Sequence, residues 1–411
     1  MSSCPSHGLM PIAQAQTRLE QAGRHQLLPV ETISIYEALD RILAEDVIAT
    51  LDVPPQANSA MDGYAVCCDK FCTQQPYVVS QRITAGVAPQ PLLDGTVARI
   101  FTGAVIPEGA NAVIMQEDAV VAADGTVSFV IQPDAYDNIR PQGQDIRQGT
   151  RILSQGTRLS PAAIGLLATI GHAKVNVYRR LKVMFFCTGN ELVEPSQPLA
   201  SGQIYNSNRA LLASLLKKLD IDLIDGGVIP DNLEATLDAL QQATQQADVI
   251  MTTGGVSVGE EDHVKAAVNQ CGRLELWKIA IKPGKPLAFG YVHETPFLGL
   301  PGNPQSVFVT FAILARIFLI NYQGQRDGLT PQFALIASDF AIKKAQTRTE
   351  YLRVKVVHGS DGLRLIKHDN QSSGVLSSAV WADGFAVIPA GQIVSQGDLL
   401  AFLSFSSLLL A

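Results

Sequence analysis

The residues with most chemical potential lie at the end of one apolar run. Asp248-Val-Ile-Met-Thr-Thr reads as a strand, and Gly254-Gly-Val-Ser-Val-Gly259-Glu-Glu-Asp262 follows it. Glycine lets a ligand approach backbone N–H groups closely. Successive N–H groups ahead of a helix form an anion cradle. Gly254-x4-Gly259 matches the first half of a P-loop, but Glu260 and Glu261 stand where Lys and Ser/Thr would meet phosphate and magnesium. The loop therefore implies phosphate binding without the usual nucleotide-triphosphatase chemistry. Asp262 is a candidate ligand for a hard cation.

A second cluster is cationic. Leu276-Trp-Lys-Ile-Ala-Ile-Lys282 alternates, so Lys278, Ala280 and Lys282 share one face and Trp277, Ile279 and Ile281 the other. Pro283-Gly284 turns the chain and Lys285 follows, which focuses positive charge on an otherwise acidic protein. The competing assignment is a solvated strand face. Asp231-x-x-Glu234 resembles a capping box, so Asp231 alone reads as structural, and Asp262 could equally be a helix cap. Glu191 ends Thr188-Gly-Asn-Glu191 with no obvious cap or pair. Leu300-Pro-Gly-Asn-Pro304 is either a turn into a helix or a set of N–H donors facing an anion. Asp62-Gly63 and Asn138-Ile-Arg140 with Asp145 read as turns.

These groups need a scaffold. The 411 residues suggest about three domains. Hydrophobic content of 47% allows a sizeable core, and a net charge of -7 argues against a general nucleic-acid binder. The N-terminus has no signal-peptide pattern, and the six cysteines form no paired CxxC motif, so a cytoplasmic location with free thiols is expected. Val307–Ile320 is apolar, but its 14 residues with Arg316 fall short of the roughly 18 a membrane span needs. A buried or dimer-interface helix is expected instead, with Asn303 as its cap and Pro304 at its first position.

Helical periodicity runs through 9–47, including Ile35-Tyr-Glu-Ala-Leu-Asp-Arg-Ile-Leu. Short alternating runs with turn dipeptides fill 48–150, and Ser160-Pro161 opens a helix that ends at Gly171. Strands and helices alternate over 181–329, predicting a mostly parallel sheet with ligands beyond the carboxyl ends of its strands. Short strands return after Pro331. The expected domains are 1–48 with 146–178 (helical linker), 49–145 (inserted β), 179–329 (α/β) and 330–411 (small β).

Taken together, the chain resembles the molybdopterin molybdenumtransferase family, bacterial MoeA and the C-terminal domain of gephyrin. The resemblance rests on Asn58-Ser-Ala-Met-Asp-Gly-Tyr-Ala65, Ile100-Phe-Thr-Gly-Ala104, Ile114-Met-Gln-Glu117, Asn138-Ile-Arg140 with Gly143 and Asp145, and Thr188-Gly-Asn-Glu191. It extends through Thr253-Gly-Gly-Val-Ser-Val-Gly259, Ile281-Lys-Pro-Gly-Lys-Pro286 and Gly299-Leu-Pro-Gly-Asn-Pro304. It implies a multidomain, L-shaped protomer with a three-layer α/β domain and a C-terminal β-barrel, paired as a homodimer whose active site lies between subunits. It implies the last step of molybdenum cofactor synthesis: Mg2+-dependent insertion of molybdate into adenylylated molybdopterin, with release of AMP.

On this resemblance Asp62, Thr102, Asp145, Glu191, Asp231, Lys278 and Lys282 are catalytic, and Glu191, Asp231 and Asp262 hold the metal. Thr188, Gly189, Gly254, Gly255, Ser257, Gly259, Lys285, Pro301, Gly302, Asn303 and Pro304 bind the substrate, with Arg353 and Ser373 as looser carry-overs. Asn190 and Asn206 stand where Asp is common in the family, and Ala104-Val105 replaces Ala-Pro. Molybdopterin adenylyltransferases share the central domain but lack the Ser-Ala-Met-Asp-Gly-Tyr segment and the C-terminal β domain. An inactive molybdopterin-binding paralogue and a gephyrin-like scaffold also compete with the transferase assignment. Molybdopterin adenylyltransferase and molybdoenzyme-maturation proteins are candidate partners; no nucleic acid or membrane is expected.

Overall fold

The computed structural model describes residues 9–24, 27–255, 263–360 and 362–409. Ser257, Gly259 and Asp262 lie outside them, and so does most of the glycine loop.

A six-stranded sheet forms the centre of the molecule. Its order is Asp222–Ile229, Lys182–Thr188, Val249–Thr253, Thr295–Leu300, Pro286–Val292, Gly272–Lys278. The first four strands are mutually parallel, Pro286–Val292 runs antiparallel to both of its neighbours, and Gly272–Lys278 again runs with the first four. Strand Val249–Thr253 is buried along its whole length, as an unbroken apolar run demands. Both faces are covered. Helix Leu233–Gln246 and helix His263–Cys271 pack Leu240, Ala243, Val264 and Val268 on one face. Helix Ser207–Lys218 and the helix from Pro304 to Tyr322 cover the other with Leu212, Leu216, Phe311 and Phe318. The three-layer expectation is met.

Helix 304–322 is the described segment long and apolar enough to cross a membrane, yet it is 94% buried within the protein. Arg316 inside it is buried and donates to the carbonyls of Gly328 and Leu329. Burial without a counter-charge depresses that guanidinium to about 10.

The N-terminal helix, Ile12–Gly23, packs on this same core helix. A Cβ at Gly23 would stand 2.9 Å from the Phe318 carbonyl oxygen, so the two backbones touch. The second periodic run is not a helix. Ser34 Oγ accepts from Tyr36 N and closes a short 3-10 turn at Ile35–Glu37, and Asp40 takes a φ of 64°. Residues 41–44 then bond across the chain to 156–159 and 176–178. Tertiary pairing has overridden a weak local propensity. Helix Pro161–Thr169 forms as expected, with Ser160 Oγ accepting from Ala163 N. It packs Ala163 and Leu167 against Ile35, Ala38 and Leu43.

Residues 49–145 form a β unit around a four-stranded sheet: Val78–Ile83, Thr96–Ile100, Gly63–Val66, Ala112–Met115. Its hydrogen bonds beyond its own segment go to residues 146–170. The C-terminal unit is a closed five-stranded barrel. Thr349–Gly359 closes it by pairing with both Gly362–Lys367 and Gly384–Ile388. The chain exposes 20693 Å2 where a compact 44.0 kDa protein would expose about 15,500 Å2, as separate lobes require.

At Gly63 a Cβ would lie 1.9 Å from the Ile114 carbonyl oxygen, in the register that pairs Gly63 with Met115. Gly63→Ala is expected to destabilise the β unit by about 3 kcal/mol. Faster limited proteolysis within 49–145 and a lowered melting transition are the readouts; an unshifted transition contradicts the close approach.

Candidate functional site at the carboxyl rim of the sheet

Strand Lys182–Thr188 ends at Thr188, and Gly189 follows with a φ of 141°. The Glu191 side chain folds back over Gly189, so close that a Cβ there would meet its carboxylate at 2.5 Å. The neighbouring strand delivers Gly254 and Gly255, both at positive φ. A Cβ on Gly254 would stand 3.0 Å from Thr188 Oγ1, and one on Gly255 would meet Val264 Cγ2 at 2.4 Å. Gly254 is therefore required by the Thr188 backbone, whose carbonyl oxygen stands 3.0 Å from the same Cβ position, and Gly255 by the Val264 side chain.

The third loop joins them. Gly254 N donates to Leu300 O, and the position of a Gly302 Cβ lies 3.9 Å from Gly254 Cα. Asn208 Nδ2, on helix Ser207–Lys218, donates to Gly302 O at 2.6 Å and holds the loop. Pro301 is buried, while Gly302 and Asn303 are exposed. Asn303 occupies the cap position with Pro304 at the first turn, but its side chain makes no capping bond. Among the described residues its amide has no hydrogen-bond partner.

Asp231 changes role. The cap of helix Leu233–Gln246 is Asn232, whose Oδ1 accepts from Ala235 N at 2.8 Å. Asp231 is exposed, and its backbone N donates to Asn190 Oδ1 at 3.4 Å. Thr188, Gly189, Glu191, Asp231, Gly254, Gly255 and Gly302 thus gather on adjacent loops. Among the described residues no group of three His, Cys, Asp or Glu side chains meets. The third proposed acid, Asp262, lies outside them.

The lysine strand alternates as expected: Trp277, Ile279 and Ile281 are buried and Lys278 is exposed. Lys285 is exposed too. The turn packs against the start of the core helix, since a Cβ on Gly284 would meet Thr310 Oγ1 at 2.4 Å. Lys282 is not a free cation. Its Nζ lies 2.5 Å from Glu350 Oε1 of the barrel, where Ile281–Lys282 pairs in parallel with Thr349 and Glu350. Gln305 N donates to Ser373 O, which brings Ser373 to the same helix start.

Arg353 is 1% exposed. It donates to Ser378 Oγ and to the carbonyls of Asn370 and Ser372, all neutral. Desolvation lowers its guanidinium to about 10. A cavity of about 330 Å3 at the joint is lined by Lys282, Glu350, Arg353, Gln371 and Ser372. Glu350, Gln371, Ser372 and Asn208 escaped sequence reasoning; the alternation around Glu350 signals a strand but names no partner.

Asp62 and Thr102 meet within the β unit: Asp62 Oδ1 accepts from Thr102 N and Oγ1, both at 2.8 Å. These bonds, the backbone one foremost, hold the Asp62 carboxyl below its ordinary 3.8. Asp145 is exposed, and its N donates to Val53 O. Within one protomer the described hydrogen bonds do not tie these three to the rim.

Residues 10–171 match the family described as MoeA N-terminal region (domain I and II), 184–320 the probable molybdopterin binding domain, and 337–405 the MoeA C-terminal region (domain IV). A molybdopterin molybdenumtransferase of Haemophilus influenzae is 41% identical over 382 residues, covering 92% of this chain and 95% of the relative. One from Nostoc is 35% identical over 380 residues, covering 89% and 87%. The chain belongs to the molybdopterin molybdenumtransferase family. A crystal structure titled molybdopterin biosynthesis moeA protein, from Pyrococcus horikoshii, superposes with a TM-score of 0.81 at 27% identity, covering 97% of this chain and 100% of that one. Membership in this family gives the rim, the joint and the β unit a common chemical context.

Asn232→Ala is expected to cost about 1 kcal/mol of stability in denaturant unfolding and Asp231→Ala close to nothing, reversing the capping-box assignment. Thr102→Val removes one donor, so the Asp62 carboxyl should titrate closer to 3.8 in a carbon-13 NMR titration. Because its folded value is depressed, Asp62 stabilises fully above 3.8 and loses that contribution as pH falls through the folded value. An unmoved titration contradicts the bond.

Proposed function

We propose that this transferase performs the final step of molybdenum cofactor synthesis: Mg2+-dependent insertion of molybdate into adenylylated molybdopterin, releasing AMP. Buried Arg353 carries the proposal. It is a fully desolvated cation held only by neutral acceptors, in a cavity it shares with Lys282. Burying a charge without a counter-ion is costly. A tetrahedral oxyanion is the ligand that relieves the cost, and molybdate is one.

The nearby rim suits the other substrate. Backbone groups of Gly255 and Gly302, Asn303 and the start of the helix at Pro304 would take the phosphoanhydride, while Gly254, whose N–H is bonded to Leu300 O, shapes the loop. Lys278 and Lys285, exposed beside the turn, add positive charge. Mg2+ binds through one or two carboxylates together with substrate phosphates, so Glu191 and Asp231 fit it without a closed protein cage. Asp262 belongs to the same proposal as a third oxygen donor. Bound Mg2+ would neutralise charge developing on the phosphoanhydride. The residues' share is to position the anhydride and the oxyanion side by side.

The protein is further proposed to work in the cytoplasm as a homodimer, in which Asp62, Thr102 and Asp145 of one protomer complete the rim of the other. Their separation from the rim within a protomer supports this. A molybdopterin adenylyltransferase is the partner whose product this enzyme consumes.

The direct test incubates the protein with adenylylated molybdopterin, molybdate and Mg2+ and measures AMP release and protein-bound molybdenum. Absence of both sinks the proposal. Lys282→Ala and Asp262→Asn are expected to reduce insertion by about 100-fold or more, with the dimer intact by light scattering. Wild-type rates in either refute the site.

A further inference from the structure

We infer that Glu350 is the proton-handling group of this site, passing the protons that remove one oxygen of the bound oxyanion as water. The inference rests on the proposed function, in that molybdate occupies the cavity beside Lys282 and Arg353. Among the described residues that line this cavity, Glu350 alone carries a carboxylate. Its side chain is 8% exposed, against 41% for its partner Lys282, so a shielded acid meets a half-open cation.

Chemical balance requires such a group. Exchange of one oxo ligand for two sulfurs reads MoO4(2−) + R(SH)2 → [MoO3(S2R)](2−) + H2O. Two S–H bonds and one Mo–O bond break, two Mo–S bonds form, and both sulfur protons end on the departing oxygen. Molybdenum keeps its oxidation state, so no oxidant or reductant enters. The protons start on one substrate and finish on the other. A carboxylate on the cavity wall can take each from sulfur and deliver it to oxygen.

The ion pair also times the step. An arriving oxyanion competes with Glu350 for Lys282. The Glu350 carboxylate is therefore released from its cation once the substrate is in place. The charged and titratable groups around it are Lys282 on the incoming turn, Arg348, which donates to Ile281 O beside that lysine, and Arg353 and Tyr351 along its own strand.

The test compares E350Q and E350D with the wild type. Glutamine keeps the shape and can still accept from Lys282, but it cannot carry a proton. E350Q is expected to bind molybdate within about threefold of the wild type by calorimetry while single-turnover insertion falls by about 100-fold or more. E350D should restore part of the insertion rate. Insertion by E350Q at the wild-type rate overturns the inference, and so does loss of molybdate binding in parallel with insertion, which would make Glu350 only a support for Lys282. Failure of wild-type protein to bind molybdate instead overturns the proposed occupant of the cavity. Should E350Q not fold, the wild type decides: a normal solvent deuterium isotope effect on insertion is expected, and its absence counts against the relay.

Discussion

The rim of the central sheet depends on backbones approaching closer than any side chain permits. An added Cβ would clash with or press on a neighbour at Gly189, Gly254 and Gly255, and one at Gly302 would stand in van der Waals contact with Gly254. Three parallel strands can then end side by side and turn their loops inward without prising apart. The same absence of side chains leaves peptide N–H groups at the surface, ahead of a helix whose first turn is proline-started. Close packing and the proposed anion recognition thus call for the same residue type at the same places.

The second organising feature is the docking of the barrel. Phe308 of the core helix packs on Phe385 and Phe405 at 5.6 and 5.0 Å, and a strip of parallel pairing continues the contact through Ile281 and Lys282. Hydrophobic contact brings the domains together, and polar groups are trapped at its edge. Lys282 finds Glu350, whereas Arg353 finds only carbonyls and a hydroxyl. Two cations and one acid beside a cavity leave a net positive charge that protein atoms do not cancel. Arg316 is buried on carbonyls as well; at the joint a cavity gives an anion room to reach the cations.

Lobed architecture sets the Asp62–Thr102 pair in a β unit of its own. Asp62 and Thr102 are bound to each other in a β unit whose outside bonds, among the described residues, run to the linker. The large exposed surface follows from the same arrangement. Asn208 and Asn190 show a related economy: each uses a side-chain amide to hold a rim loop, Asn208 from its helix to Gly302 and Asn190 from one loop to Asp231 on the next.

Sequence alone determined whatever local order expresses. Alternation placed Trp277, Ile279 and Ile281 inside; Ser160-Pro161 fixed a helix start; strand–helix alternation gave the three-layer domain; and motif order along the chain identified the family. Each is written in neighbours or in fixed spacing. Tertiary structure decided the rest. The run from Ile35 became a turn because residues 41–44 bonded to distant strands instead of to themselves. The cap moved from Asp231 to Asn232, one residue that spacing cannot resolve, and so released a carboxylate to the rim. The partnership of Lys282 with Glu350 joins positions 68 residues apart, 282 and 350, in different domains. Electrostatic pairing and desolvation are properties of distance in space, and spacing along a chain does not report them.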